Sequence, residues 1–80
     1  MDFSIGNVVK SKAGRDKDYF AVVVGFEDDR VLIADGKERP LERPKAKNLI
    51  HLQITNIVFA PEQYETNRAL RKNINALHSH

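Results

Sequence analysis

The strongest strand signal in the sequence is Tyr19-Phe20-Ala21-Val22-Val23-Val24-Gly25-Phe26. This stretch is rich in β-branched and aromatic residues and is too short for a typical helix. Both of its faces are apolar, which is expected of a strand that curves round a small barrel. Gly25 allows a sharp bend within the strand. The stretch therefore predicts the central strand of a β domain.

The neighbouring segments extend the pattern on both sides of that strand. A first strand is predicted over residues 8–12, and the polar loop 13–18 connects it to the central strand. An acidic turn at 27–30 leads into a third strand at 31–34. Asp35-Gly36 indicates a two-residue hairpin turn, because glycine accepts the positive φ of a type I′ turn.

The second half of the β region is less regular. A short fourth strand is expected around Leu41, since the flanking prolines suit an edge strand. Residues 44–48 are interpreted as a basic loop, and residues 49–54 as a fifth strand that continues irregularly to Phe59. Alternation along this fifth strand predicts that Ile50, Leu52 and Ile54 face the core and that His51 faces outward.

The C-terminal tail has helical spacing instead. Leu70, Ile74 and Leu77 form one narrow apolar stripe, which predicts a helix over about 66–78 with Thr66 or Asn67 as its N-cap. A turn is expected at 61–65.

Five short strands with tight connections predict a mostly β fold, a small SH3-like five-stranded barrel with a short C-terminal α-helix. An OB-fold is less suitable because it usually needs longer strands. Residues 1–60 are expected to form the barrel. Residues 61–80 are expected to form a linker and a helix packed on or beside it.

Composition limits the chain to one small domain. The 80 residues include 30% charged and 41% apolar residues, the profile of a folded domain. There is no cysteine, so disulfides and thiolate zinc sites are excluded. No apolar run approaches the ~20 residues that cross a membrane. The start of the chain lacks the pattern of a secretory signal, and we expect a cytoplasmic protein.

Charge is unevenly distributed along the chain. Residues 10–17 and residues 37–47 each carry a net charge of +3, whereas residues 27–35 carry −3. If the fold brings the basic segments together, they create a field suited to phosphate. Otherwise they are ordinary solvated loops.

One motif points to a known family. Residues 5–17 read Ile-Gly-Asn-Val-Val-Lys-Ser-Lys-Ala-Gly-Arg-Asp-Lys, which resembles the KOW motif of ribosomal proteins and transcription elongation factors, with Gly14 in the place of the nearly fixed glycine. Residues 31–36 and 44–56 look like the second half of small bacterial KOW-domain proteins that are similar to ribosomal protein L14e. Asp18 stands where that family usually has a second glycine, and aspartate tolerates the left-handed conformation better than most residues.

The resemblance implies an SH3-like barrel of the KOW type that binds RNA in association with ribosomes. The expected partners are structured RNA, foremost ribosomal RNA, and ribosomal proteins. The contacts are expected to go mainly to phosphate and sugar through basic loops, with recognition by shape. The predicted RNA-binding residues are Lys10, Lys12, Gly14, Arg15, Lys17, Tyr19, Arg43, Lys45, Lys47 and His51.

No arrangement of residues indicates an enzyme. The sequence predicts no catalytic residues, metal site, cofactor or small-molecule substrate, because the histidines and glycines lack the spacings that such sites need. The alternative function is a protein-interaction module of the SH3-like type in transcription or translation assemblies. Its working surfaces would be the acidic turn at 27–30 and the apolar stripe of the C-terminal helix.

Overall fold

A computed structural model of the chain describes residues 3–12 and 18–78. Its elements in chain order are β1 (Asn7–Ser11), β2 (Phe20–Glu27), β3 (Arg30–Ala34), β4 (Lys45–Asn48), the 3-10 turn η1 (Leu49–His51), β5 (Leu52–Val58), the 3-10 turn η2 (Pro61–Gln63) and the helix α1 (Asn67–Leu77). The fold is mostly β with one short C-terminal helix, as the sequence predicts.

The five strands form one antiparallel sheet in the order β4-β3-β2-β1-β5. The last strand pairs back to the first, but no pairing joins β4 to β5, so the sheet is not closed. Asn48 pairs with Arg30 on β3, whereas Leu52 pairs with Ser11 on β1. Four residues of chain span at most ~14 Å. The sheet must therefore curl to bring these two places within reach of each other.

Both faces of the sheet carry a core. The helix-side core packs strand residues against the tail and consists of Val8, Val22, Ala34, Phe59, Leu70 and Ile74. The strand-side core comes from the strands alone and consists of Val9, Ala21, Val23, Val31, Ile33 and Leu52. Both faces of β2 are apolar because both are covered: α1 packs on one face, and the strand-side core lies on the other. Barrel curvature alone does not explain this pattern. The register of β2 shifts between Val23 and Gly25, where the bend was expected.

The prediction of a fourth strand around Leu41 is wrong. Leu41 lies in a loop from Asp35 to Pro44, and its side chain packs against the helix-side core. The fourth strand is instead Lys45–Asn48, which sequence analysis interpreted as a loop. Prolines on both sides of Leu41 interrupt a ladder, whereas Lys45–Asn48 is free of proline and pairs along its whole length with β3.

The predicted two-residue turn at Asp35-Gly36 is also wrong. Gly36 does have the positive φ, +82°, but Asp35 does not, and the chain needs the whole loop 35–44 to reach β4. A type I′ turn requires positive φ at both central residues.

The fifth strand begins three residues later than predicted. The chain forms η1 first because the Asn48 side chain accepts a hydrogen bond from the Ile50 backbone N–H at 3.2 Å, an N-cap that favours a turn. Leu52 is buried in the strand-side core. Ile54 pairs with Val9 and so shares that face, but it is 42% exposed at the sheet edge, and Ile50 is 70% exposed. His51 is exposed, but it lies on η1 rather than on a strand.

The helix matches its prediction closely. Thr66 is the N-cap, and its hydroxyl accepts a hydrogen bond from the Ala69 backbone N–H at 3.1 Å. Leu70 and Ile74 are buried in the helix-side core, and Leu77 packs against it. Within residues 3–12 and 18–78, no helix has the length and apolar character needed to cross a membrane.

Candidate nucleic-acid interface

The loop from Asp35 to Pro44 is folded tightly against the helix. The Asp35 carboxylate accepts hydrogen bonds from the backbone N–H groups of Lys37 and Arg39 at 2.9 and 3.0 Å. Gly36 lies directly on α1: a Cβ atom at this position would be 2.5 Å from the Asn67 carbonyl oxygen and 3.0 Å from the Arg71 nitrogen. Only glycine fits this close approach of two backbones.

Asn67, the first residue of α1, fixes the second half of the same loop. Its side-chain oxygen accepts a hydrogen bond from the Leu41 backbone N–H at 2.8 Å, and its amide donates one to the Glu42 carboxylate at 2.7 Å. The bond from Asn67 lowers the pKa of Glu42 because it stabilises the charged form. The loop is thus fixed to the helix near its start, at Gly36, and in its second half, at Leu41 and Glu42.

The anchored loop presents a shallow groove where it leads into β4. We call this the β4 groove, and its lining residues are Glu38, Arg39, Pro40, Arg43, Pro44 and Lys45. Three of these side chains are cationic and only Glu38 is acidic. The two prolines restrict the backbone of this segment, in which Arg43 and Lys45 are exposed and Arg39 is half-buried. Arginine and lysine at this density provide the donors and the positive field that phosphate oxygens need.

The basic residues of β4 share one face of the strand. Lys45 pairs with Ile33 and Lys47 with Val31, so both lysines are on the face that carries the strand-side core. Lys45 is exposed and Lys47 is half-buried. A lysine at the edge of a sheet can cover apolar surface with its aliphatic stem while its ammonium reaches water. The extended chain places both lysines on one side.

The end of β1 carries a second group of predicted residues. The Lys10 ammonium lies 3.7 Å from the Asp18 carboxylate and 5.7 Å from the centre of the Phe20 ring. The backbone N–H of Lys12 donates to the His51 carbonyl at 3.0 Å. Asp18, which stands where KOW-domain proteins usually have a glycine, adopts the left-handed conformation with φ +71°.

The structure divides the predicted site between these two places. Arg43, Lys45 and Lys47 lie at the β4 edge, whereas Lys10, Lys12, Tyr19 and His51 lie near the end of β1. In the sheet, β2 and β3 separate β1 from β4, so strand pairing does not produce one continuous patch. The turn η1 provides the link, since it leaves β4 and brings His51 to Lys12. The predicted residues Gly14, Arg15 and Lys17 lie outside the described residues.

One cation of the β4 groove, Arg39, was not among the predicted site residues. It belongs to the basic segment 37–47, so charge counting includes it. Its place in the groove depends on the turn around the Asp35 carboxylate, which no charge pattern indicates.

The two surfaces predicted for the alternative function differ in their exposure to solvent. Leu70 and Ile74 of the helical stripe are buried in the chain's own core, so this stripe does not form a docking surface. The acidic turn is exposed and consists of Asp28 and Asp29 between the paired residues Glu27 and Arg30. Across residues 3–12 and 18–78, no cluster of three or more histidine or acidic side chains forms a metal site.

Comparison with known proteins assigns no family. No family model matches the chain, and no curated protein matches it significantly. The resemblance to the KOW motif therefore stays a prediction from the residues that carry it.

Proposed function

We propose that this protein is an RNA-binding module that associates with ribosomes and contacts structured RNA through its basic surface. The observation that carries the proposal is the β4 groove, in which Arg39, Arg43 and Lys45 line one open depression beside a single carboxylate. An excess of cations in a groove attracts a polyanion and releases its counterions, which is the dominant source of affinity for nucleic acids.

The groove supplies two kinds of phosphate contact. Arg43 offers a planar fork of donors that fits two phosphate oxygens, whereas Lys45 acts as a point charge beside it. Lys47 continues the basic edge, and η1 leads from there to His51 and Lys12. An RNA backbone that follows this course would be recognised by its shape and phosphate spacing rather than by its sequence.

We further propose that the curled sheet is an SH3-like barrel of the KOW type. The pairing of the last strand with the first and the short η1 step between the two edge strands support this architecture. The Gly-Asn-Val-Val sequence at residues 6–9 and the later Pro-Lys-Ala-Lys-Asn at 44–48 support the same family. Ribosomal RNA, together with adjacent ribosomal proteins, is the partner that this reading favours.

Ultraviolet crosslinking in cells tests this function. The chain should recover ribosomal RNA, and the crosslinked peptides should come from residues 43–53. Recovery should be reduced in an Arg43→Gln, Lys45→Gln variant and retained in an Arg68→Gln, Lys72→Gln variant, which removes the same charge from exposed positions of α1. If the wild type recovers no RNA above background, the proposed function is wrong.

A second candidate, the protein-interaction module, is favoured by one observation. β5 is an edge strand, and Ile54, Ile57 and Val58 on it are all exposed. An apolar edge strand offers backbone hydrogen bonds and apolar side-chain contacts to another chain. Binding that resists salt and is lost on Ile54→Lys would support this candidate, because phosphate contacts weaken steeply with salt.

A further inference from the structure

A second depression lies on the other side of the 35–44 loop, between the start of β2, the loop and α1. This cleft has a volume of about 190 Å³. Its walls include side chains that the proposed function does not use, among them Lys37, Arg71 and His78. The position is set by the same close packing of Gly36 on α1 that shapes the β4 groove.

One wall of the cleft is aromatic. Tyr19 is 61% exposed, and its ring meets the His78 ring edge to face with centres 6.0 Å apart. His78 also lies against Phe20, with ring centres 4.9 Å apart. Phe20 packs on the helix-side core, so the wall rests on a fixed base. An exposed ring held in this way offers a flat surface on which a nucleobase can stack.

The remaining walls carry both signs of charge. Lys37 and Arg71 face Asp35 and Glu38 around the cleft, so its fixed charges balance. This balance is unsuited to a bare phosphate, which the strongly basic β4 groove would attract instead. It suits a ligand that has amino donors on one part and negative charge on another, because carboxylates accept from base amino groups while arginine and lysine bind phosphate.

The cleft and the β4 groove are adjacent, since Glu38 lines both. We propose that the cleft receives one unpaired nucleotide of the RNA whose backbone lies in the β4 groove. Its base stacks on Tyr19 and His78, and its phosphate is bound by Arg71 and Lys37. The inference rests on the proposed function and adds to it a preference for RNA with an unpaired nucleotide next to a duplex.

The test compares two RNA probes: a short duplex with blunt ends and the same duplex with a single-stranded overhang. The wild type should bind the overhang probe about tenfold more tightly, the gain expected of one stacked base. Tyr19→Leu and Arg71→Gln should each reduce this preference, and Arg71→Gln should leave blunt-duplex affinity unchanged. Arg68→Gln, one turn earlier on α1, is the matched control and should keep the preference.

The outcomes separate the two proposals. Equal affinity for both probes, or a preference that survives Tyr19→Leu and Arg71→Gln, overturns the cleft inference and leaves the groove standing. Failure of the wild type to bind either probe overturns the proposed function and the inference together. Melting curves should show that Tyr19→Leu and Arg71→Gln remain folded, since both side chains are exposed. If either variant proves unfolded, the shift of the Tyr19 and His78 ring resonances on adding adenosine monophosphate to wild type decides: no shift overturns the inference.

Discussion

The two basic segments of this chain carry the same charge, but the cations that the structure describes in them have different surroundings. In residues 37–47, Arg39, Arg43 and Lys45 line one groove because the loop that carries them is anchored on α1. In residues 10–17, Lys10 lies beside the Asp18 carboxylate and the Phe20 ring. Cations that contribute equally to the charge of the sequence therefore have different neighbours in the fold.

The difference shows what makes a basic segment useful. Lys10 is held in the β1–β2 ladder opposite Phe20, and the Asp18 backbone N–H donates a hydrogen bond to the Ser11 carbonyl. The Asp18 carboxylate therefore stays close to Lys10. The 35–44 loop uses one carboxylate, Asp35, to organise backbone N–H groups and another, Glu42, to bind Asn67. Two of its acids thus serve the scaffold, while Arg43 is exposed and the half-buried Arg39 lines the groove.

The largest effect is expected from breaking the anchor of the 37–47 segment. Gly36→Ala would place a Cβ atom against backbone atoms of α1, which cannot shift without disturbing the helix. It would also put a residue with a side chain at φ +82°, a strained conformation. We expect the free energy of unfolding to fall by about 2 kcal/mol or more, measured by urea denaturation. Gly25→Ala is the control: it has no positive φ, its nearest contact is the flexible end of Leu32 at 3.3 Å, and it should cost less. Equal losses would mean that the loop is not seated on the helix.

A smaller effect is expected from releasing Lys10 from its carboxylate. Asp18→Asn removes the negative charge and preserves a residue type that tolerates positive φ. An exposed ion pair of this kind is worth ~0–1 kcal/mol, so RNA affinity should rise by no more than about fivefold. Filter-binding titrations at low salt would measure this. A fall in affinity would show that Asp18 itself supports RNA binding.

The smallest effect concerns the pH dependence of the anchored loop. The pKa of Glu42 is lowered by the hydrogen bond from Asn67. The bond therefore stabilises the fold above the ordinary pKa of glutamate, and that contribution disappears as the pH falls through the lowered pKa. Asn67→Ala should raise the Glu42 pKa toward its ordinary value in a nuclear magnetic resonance titration. An unchanged Glu42 pKa in that variant would contradict the assignment of its cause.

Much of the fold follows from local patterns in the sequence. The apolar run from Tyr19 to Phe26 identifies β2 by its β-branched and aromatic residues, and the stripe Leu70, Ile74, Leu77 identifies α1 by its helical period. The prediction fails where tertiary contacts decide the local structure. Leu41 leaves the sheet because Asn67, far along the chain, accepts its N–H, and Gly36 turns against α1 rather than in a hairpin.

The same limit applies to the candidate site. Charge counting identifies Arg43, Lys45 and Lys47, since they occupy every second position of a basic segment. It gives no sign that β2 and β3 separate these residues from Lys10 and Lys12, because strand order depends on non-local pairing. It includes Arg39 but does not place it in the groove, and it does not indicate the cleft, because both depend on the packing of the loop on the helix.

The most direct test of RNA binding through the β4 groove is the dependence of affinity on salt. Wild type, the Arg43→Gln, Lys45→Gln variant and the Arg68→Gln, Lys72→Gln control should be titrated with one ribosomal RNA fragment over a series of salt concentrations. Each phosphate contact contributes ~0.7–0.9 to the logarithmic slope, so loss of two should reduce it by about 1.5 in the groove variant only. A groove variant with the slope and affinity of the wild type, or a control that loses as much, would contradict the account.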